Sequence, residues 1–495
     1  MSFQSLGFLV FLTLSAGLCR LCARHLWGLE GLRPGASGAV PGVYTAVNAL
    51  PLSVVSLWFC ISCCAGAGSP LLAAVPLAGL LVTWCAVRAF QAGRGRRRQV
   101  LVLAAAWHIA VLLVCKYAGF LTGGRLVLPW VPPGISFFTF QQLWLLREVS
   151  TGTFTLERGE GWGLLACGLF FPTFTSGPIL RPRDFFPQLR QGMLKAREAD
   201  FAAGLYALSR GYAKKLLLAD PLGAVVANGW AQGGDMTAPT AWVVILGYTL
   251  RLYLDFSGYC DIAAGCARLL GLRLPVNFDA PYRSCSVGEF WKRWHMTLTA
   301  FLRQCVYFPL GGSRKGLART CGNILLVYLL SGLWHGAGWT FLVWGLFHGL
   351  AQIIERLWPG RERLPRWLRW AMTFLFVNLA WVFFQAPSLA AAGTLLRSAV
   401  LGGGGLPVSA LAAGALDTES AALRTLFPMA ADAVPALVLA ALFAAGLAVS
   451  LRRRGVVQRM EDFTPSLKSA LVSGFLLTWA VLSFSSTAIF IYSNF

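Results

Sequence analysis

The stretch NILLVYLLSGLWHGAGWTFLVWGLFHGLAQII, residues 323–354, decides the fold. It carries no Asp, Glu, Lys or Arg, and it exceeds the roughly 20 apolar residues that one helix needs to cross hydrocarbon. Its apolar residues do not alternate at period two, which chooses helices over the strands of a barrel. The wider run 321–356 is interrupted at Gly336–Ala337–Gly338, and a second long run, 240–268, at Ser257–Gly258. Broken helices at membrane depth persist only where the freed backbone is buried in protein or lines a cavity. Both runs are therefore expected to break, and together to bound a central cavity.

Outward from these runs, apolar segments recur at 3–25, 44–66, 70–90, 99–121, 126–147, 162–180, 201–230, 366–386, 431–451 and 467–492. The expected fold is all-α, a polytopic transmembrane bundle of about 11–13 helices, some of them broken or interfacial. No internal repeat or soluble domain separates, so residues 1–495 read as one integral-membrane domain with a motif-rich core at 126–356. The N-terminus lacks the positive region and cleavage site of a removed signal and reads as the first span. Between the two long runs, 269–320 is too polar to span but rich in aromatics, as expected of an amphipathic helix lying at or dipping into the interface. Residues 388–427, with Gly402 to Gly405 in a row, read as a loop with a surface helix.

Composition agrees. Of 495 residues, 57% are hydrophobic and 13% charged, about half the charged share of a soluble domain. The net charge of +22 sits in short clusters between apolar runs: Arg94 to Arg98, Lys214–Lys215, Arg361 to Arg369 and Arg452 to Arg454. That placement marks cytoplasmic loops against anionic headgroups and not a nucleic-acid surface. Most of the 13 cysteines lie in apolar runs, and neither Cys19, Cys22 and His25 nor Cys60, Cys63 and Cys64 completes a four-ligand metal set.

Ionisable residues inside apolar helices are costly and are functional candidates by default. Of five histidines, three, His295, His335 and His348, fall late in the chain. His335 stands beside Gly336 and Gly338, where small residues allow close approach of a backbone or substrate. His348 lies 13 residues on, about 140° round an unbroken helix, a phase the glycines make unreliable. His295 lies beside Trp294 and two bases, so a catalytic and an interfacial reading are evenly matched. His25 and His108 read as core residues. Asp255 and Asp261 need partners at depth, and Arg251 and Tyr253 are near enough in sequence.

The segments FFPTFTSGPILRPRDF (170–185), LYLDFSGYCDIAAG (252–265), LPVNFDAPYRSCSVGEFWKRWHMTLTAFLRQCVYFPLGG (274–312) and SGLWHGAGWTFLVWGLFHG (331–349) resemble the membrane-bound O-acyltransferases. KYAGF (116–120), PPGISFFTFQ (132–141) and FIYSNF (490–495) extend the likeness over almost the whole chain. It is strongest to bacterial polysaccharide O-acetyltransferases of the alginate type, with D-alanyl transferases of teichoic acid assembly next. Gln304 stands where the family usually has aspartate, and Glu148 to Gly152 replace its usual DVYRG-like sequence.

The resemblance implies a ring of helices round a thinned centre, with a funnel to the active-site histidine. It assigns the catalytic histidine to His335 and a second histidine to His295, with Trp334, Trp294, Asp255, Ser257, Asn277 and Arg303 expected to contact substrate. It implies transfer of an acetyl group from a cytoplasmic thioester, acetyl-CoA or an acyl carrier protein, to an extracytoplasmic polysaccharide. No bound cofactor or metal is expected. The expected partners are the lipid bilayer of a bacterial inner membrane, the donor, and a separate extracytoplasmic transferase. Two alternatives stay open: D-alanyl transfer, and an ion-coupled transporter, which buried Asp255 and Asp261 would suit although no inverted repeat is found.

Overall fold

The computed structural model describes residues 2–28, 41–93, 97–157, 159–190, 198–231, 236–403 and 408–484. The Arg94–Arg96 end of one basic cluster and the FIYSNF motif lie outside the described residues, as does the side chain of His25. Among the described residues the regular structure is helical throughout. Five helices are long and apolar enough to cross a membrane: Asn48–Gly66, Pro70–Gln91, Arg98–Leu121, Leu317–His335 and Arg366–Gln385. Large apolar side chains such as Leu81, Leu103 and Leu437 face outward, as lipid-facing surfaces require.

Numbered in chain order, the helices that build the centre are α1 (Arg97–Leu112), α2 (Ile135–Ser150), α3 (Glu198–Tyr212), α4 (Ala238–Leu269), α5 (Val287–Arg293), α6 (Met296–Leu302), α7 (Leu317–His335), α8 (Trp339–Leu357), α9 (Arg366–Gln385) and α10 (Val434–Ser450). The expected break at Gly336–Ala337–Gly338 is present: α7 ends on His335, and Gly336 and Gly338 are extended before α8 begins. The two helices cross closely because a Cβ on Gly332 would stand 2.3 Å from the Phe341 carbonyl oxygen, and one on Gly345 2.4 Å from that of Tyr328.

The expected break at Ser257–Gly258 is absent, for α4 runs 32 residues without interruption. Gly258 serves packing instead. Gly204 and Gly211 on α3 face Gly265 and Gly258 on α4, where each added Cβ would approach the opposing glycine's carbonyl oxygen to between 2.8 and 3.1 Å. Small residues at this spacing let two helices approach backbone to backbone. The polar groups are satisfied across the same seam. Lys214 and Lys215, expected in a cytoplasmic loop, are buried in a π-helical turn (Ala213–Ala219) that continues α3. Lys214 pairs with Asp261 at 2.6 Å, and Lys215 with Asp255 at 2.6 Å and Asp220 at 2.8 Å. These lysines neutralise the two aspartates, and Tyr253 adds its ring face 5.8 Å from the Lys214 ammonium.

Residues 269–320 also depart from expectation. Residues 272–302 are threaded through the interior as an extended stretch and two short helices, α5 and α6, with Phe290, Trp291, Trp294 and Phe301 buried, whereas 303–319 are mostly exposed or half-buried. The irregular backbone of the threaded part survives there because it is paired: Asp279 N–H donates to Arg293 O at 2.9 Å, and Met296 N–H to Asn277 O at 3.0 Å. Within 388–427, the helix Leu389–Leu401 is anchored by the Trp242 indole N–H on Ala399 O at 3.0 Å, while Asp417–Leu426 is a helix with no buried residue.

Candidate active site

His335 is the last residue of α7, where the orphan carbonyls of a helix end need outside donors. Its Nδ1 lies 2.7 Å from Ser331 O. A carbonyl oxygen only accepts, so Nδ1 carries the ring proton and Nε2 presents a lone pair. Trp334, Trp344 and Phe384 pack edge-on round the ring at centroid distances of 4.8, 5.0 and 5.2 Å. Gly336 is obligatory beside it, since a Cβ there would meet the Phe341 ring at 2.0 Å.

His295 occupies the junction of α5 and α6 with φ 43° and ψ 53°, the left-handed region that non-glycine residues enter at a cost. Asn277 holds it there. The Asn277 Oδ1 receives Thr297 N–H at 3.1 Å and Thr297 O–H at 2.9 Å, which identifies that atom as the oxygen. His295 Nδ1, 3.3 Å away, is then the donor, and its Nε2 also presents a lone pair. The ring is boxed by Phe256 at 4.8 Å and Phe137 at 6.3 Å.

Trp334 joins the pair, with its ring 4.8 Å from His335 and 6.0 Å from His295. Its indole N–H is buried and has no acceptor among the described residues. The neighbouring Trp344 and Trp381 indole N–H groups are buried without an acceptor in the same way, and buried donors of this kind are costly unless another group meets them. Trp334 also borders a cavity of about 530 Å³ shared with Thr139, Phe140 and Phe301, with Arg98 and Arg147 among its lining.

The other expected site residues divide. Asn277 is brought to His295 as its holder. Trp294 packs on Phe278, Phe290 and Trp381, one layer behind the histidines. Asp255 and Ser257 belong to the lysine network of α3 and α4, Ser257 accepting from Lys214 at 3.2 Å. Arg303 is exposed in the π-helical turn after α6, near the Phe308 ring, so it is not at the histidines. These three positions were selected by motif, and motif membership does not separate a lining residue from one that holds helices together. Gln304, the departure from aspartate, accepts the Trp144 indole N–H at 3.1 Å. His348 accepts from the Trp291 indole N–H at 3.1 Å, the opposite tautomer to His335, and sits among Trp344, Phe376 and Tyr328 as a core residue. His108 is likewise core, on Thr83 at 2.8 Å.

Lys116 was missed as a site residue, although it is an intramembrane cation within KYAGF and that placement alone is a signal. Its ammonium donates to the Trp334 carbonyl and, at 3.4 Å, to Ser136, while Tyr117 O–H donates to Leu333 O at 2.7 Å. The two side chains thus satisfy consecutive carbonyls at the end of the helix that carries His335, where a cation also meets the negative end of the helix dipole. Lys116→Met is expected to lower turnover about 10-fold, the kinetic equivalent of one charge-assisted hydrogen bond of roughly 1.5 kcal/mol. Unchanged turnover in vesicles containing that variant would remove Lys116 from the site.

The membrane-bound O-acyltransferase family profile matches residues 163–392, which include both histidines. A peptidoglycan O-acetyltransferase from Helicobacter pylori is 34% identical over 346 residues, 61% of this chain and 65% of that protein. A probable alginate O-acetylase from Pseudomonas fluorescens is 40% identical over 269 residues, 54% of this chain and 53% of its own length. A teichoic acid D-alanyltransferase from Bacillus subtilis is 30% identical over 277 residues, 51% of this chain and 68% of that protein. The chain thus spans between about half and two thirds of the length of these relatives.

Proposed function

The chain belongs to the membrane-bound O-acyltransferase family, and on that premise we propose that it moves an acetyl group from a cytoplasmic thioester across a bacterial inner membrane for O-acetylation of an extracytoplasmic polysaccharide. The observation that carries this reading is the His335 imidazole, whose Nδ1–H is held by Ser331, which makes Nε2 the basic nitrogen of a ring beside His295 and Trp334. The Nε2 lone pair takes the proton of an acceptor hydroxyl, in this scheme one that relays the acetyl group to the extracytoplasmic transferase, as the oxygen bonds to the thioester carbonyl carbon. The C–S bond then breaks, and the thiolate leaves and takes up a proton. His295, also a lone-pair acceptor at Nε2, orients the incoming hydroxyl. The charge on the carbonyl oxygen needs a donor, and the indole N–H groups of Trp334 and Trp344, buried and unpartnered among the described residues and both against the His335 ring, are the candidates.

The donor is acetyl-CoA, with an acyl carrier protein the alternative, and a separate extracytoplasmic transferase completes delivery to the polymer. The centre supports that division: His335 is 1% exposed within packed aromatic rings, a place that a small thioester reaches more readily than a polysaccharide does. A second reading, D-alanyl transfer to a teichoic acid, is favoured by the coverage of the Bacillus subtilis relative and by the FPTFTSGPILRPR segment. Ion-coupled transport loses its basis, since α4 is unbroken and Asp255 and Asp261 are committed to lysines.

The test is purified protein in vesicles with labelled acetyl-CoA outside and polymer inside, with and without candidate extracytoplasmic transferases. Free thiol outside and label on the polymer only when the partner is present are expected. Polymer acetylation by this chain alone defeats the two-protein scheme, and absence of thiol release from acetyl-CoA defeats the donor assignment.

A further inference from the structure

Arg452, Arg453 and Arg454, which follow α10 directly, do not share one environment. Arg452 and Arg454 line a cavity of about 600 Å³ that also takes Arg210 and Arg459, well removed in sequence from both histidines. Below these four guanidinium groups the walls are apolar. On α10 they are Val438, Ala441, Leu442, Ala445 and Val449, positions that fall on one face of a helix. Leu217 faces them from the turn after α3, and Leu476 from the helix Leu467–Leu482.

The depth of this cavity is informative. From Val449 to Val438 the wall descends eleven residues of helix, or roughly 16 Å at 1.5 Å per residue. That is about half of a 30 Å hydrocarbon core, one leaflet. The arginines stand at its rim, immediately beyond the end of an apolar helix, at the level where headgroups lie.

The rim carries an excess of positive charge. Arg454 is paired with Asp462, and the cavity's one carboxylate, Glu419, accepts the Trp479 indole N–H at 2.8 Å. Arg210 donates to Ser209 at 2.6 Å and to Ser473, and lies 4.2 Å over the Tyr206 ring. Neither Arg452 nor Arg459 has a carboxylate within ion-pair distance among the described residues. Three cations gathered this way repel one another unless an anion lies between them.

We infer that this cavity is a binding site for one anionic phospholipid, its phosphate among Arg210, Arg452 and Arg459 and an acyl chain along the Val438–Val449 face of α10. A free phosphate would meet the rim but leave the apolar walls empty, and a zwitterionic lipid would fill the walls but cancel little of the charge. Lys214 and Tyr253 also line this cavity, so its occupant reaches one member of the ion-paired seam between α3 and α4.

The test uses the full chain purified in a neutral detergent and probed with phosphatidylglycerol and phosphatidylcholine, read by native mass spectrometry and by thermal unfolding. One phosphatidylglycerol retained per chain, with a higher Tm than phosphatidylcholine confers, is expected. Arg210→Ala with Arg459→Ala is expected to weaken that retention at least about 10-fold, as loss of charge-assisted phosphate contacts requires. Leu442→Trp, which fills the apolar part and spares the arginines, should weaken it comparably. Equal retention of the two lipids, or retention unaffected by Leu442→Trp and competed by inorganic phosphate, overturns the proposal. Should the arginine pair fail to fold, the comparison of lipids and the Leu442→Trp variant still decide it.

Discussion

His335→Ala is expected to abolish acyl transfer while the protein still inserts and accumulates as the wild type does. The Nδ1–H of this imidazole is held by the Ser331 carbonyl at 2.7 Å, so Nε2 is the basic nitrogen of the ring. Removal of a general base costs at least about 10²-fold in rate. Folding is expected to survive, because α7 and α8 are held by the Gly332 and Gly345 crossing and by Lys116 and Tyr117, which bind carbonyls and not the imidazole. Label transferred from acetyl-CoA, normalised to protein in the membrane, is the measurement. Near-normal transfer by the variant would take His335 out of the mechanism. The corresponding change at His348 is expected to act through packing, since its ring is engaged with Trp291 and lies among aromatic neighbours.

Asp261→Ala is expected to be the most destabilising of the single substitutions considered. It removes the carboxylate 2.6 Å from the Lys214 ammonium and leaves that buried cation with the Ser257 hydroxyl and the Tyr253 ring face. Loss of one partner from a buried ion pair costs about 3–5 kcal/mol, because the remaining charge is uncompensated. Replacing both, Lys214→Met with Asp261→Leu, should recover most of that loss, since an apolar pair of similar volume serves as well in a low-dielectric seam. Denaturant or thermal unfolding in one detergent measures all four members of the cycle. A single variant as stable as the wild type would show that the pair is not desolvated. A double variant as unstable as the single would show that this seam needs charge for a reason other than neutrality.

Much of the fold was legible because the properties that encode it are local. The length of an apolar run sets how far a helix reaches, and the glycines at 336 and 338 end α7 at the histidine whatever packs around it. The clustering of His295 and His335 near tryptophans, in a chain with only five histidines, likewise marks them as candidates in the sequence. The three-dimensional arrangement decided the rest. Ser257–Gly258 resembles a break in composition, yet Gly258 meets Gly211 on a helix more than 40 residues earlier and the helix continues. Lys214–Lys215 resembles a loop cluster until Asp255 and Asp261 are brought to within 2.6 Å of it. Lys116 becomes part of the site only when α7 ends beside it, more than 200 residues on. Hydropathy and glycine placement are properties of one segment, so the sequence by itself determined the all-helical class and the interruption after His335, and marked the candidate histidines. Whether a charge is solvated, paired or aimed at a helix end depends on a distant segment, and only the tertiary structure supplies that partner.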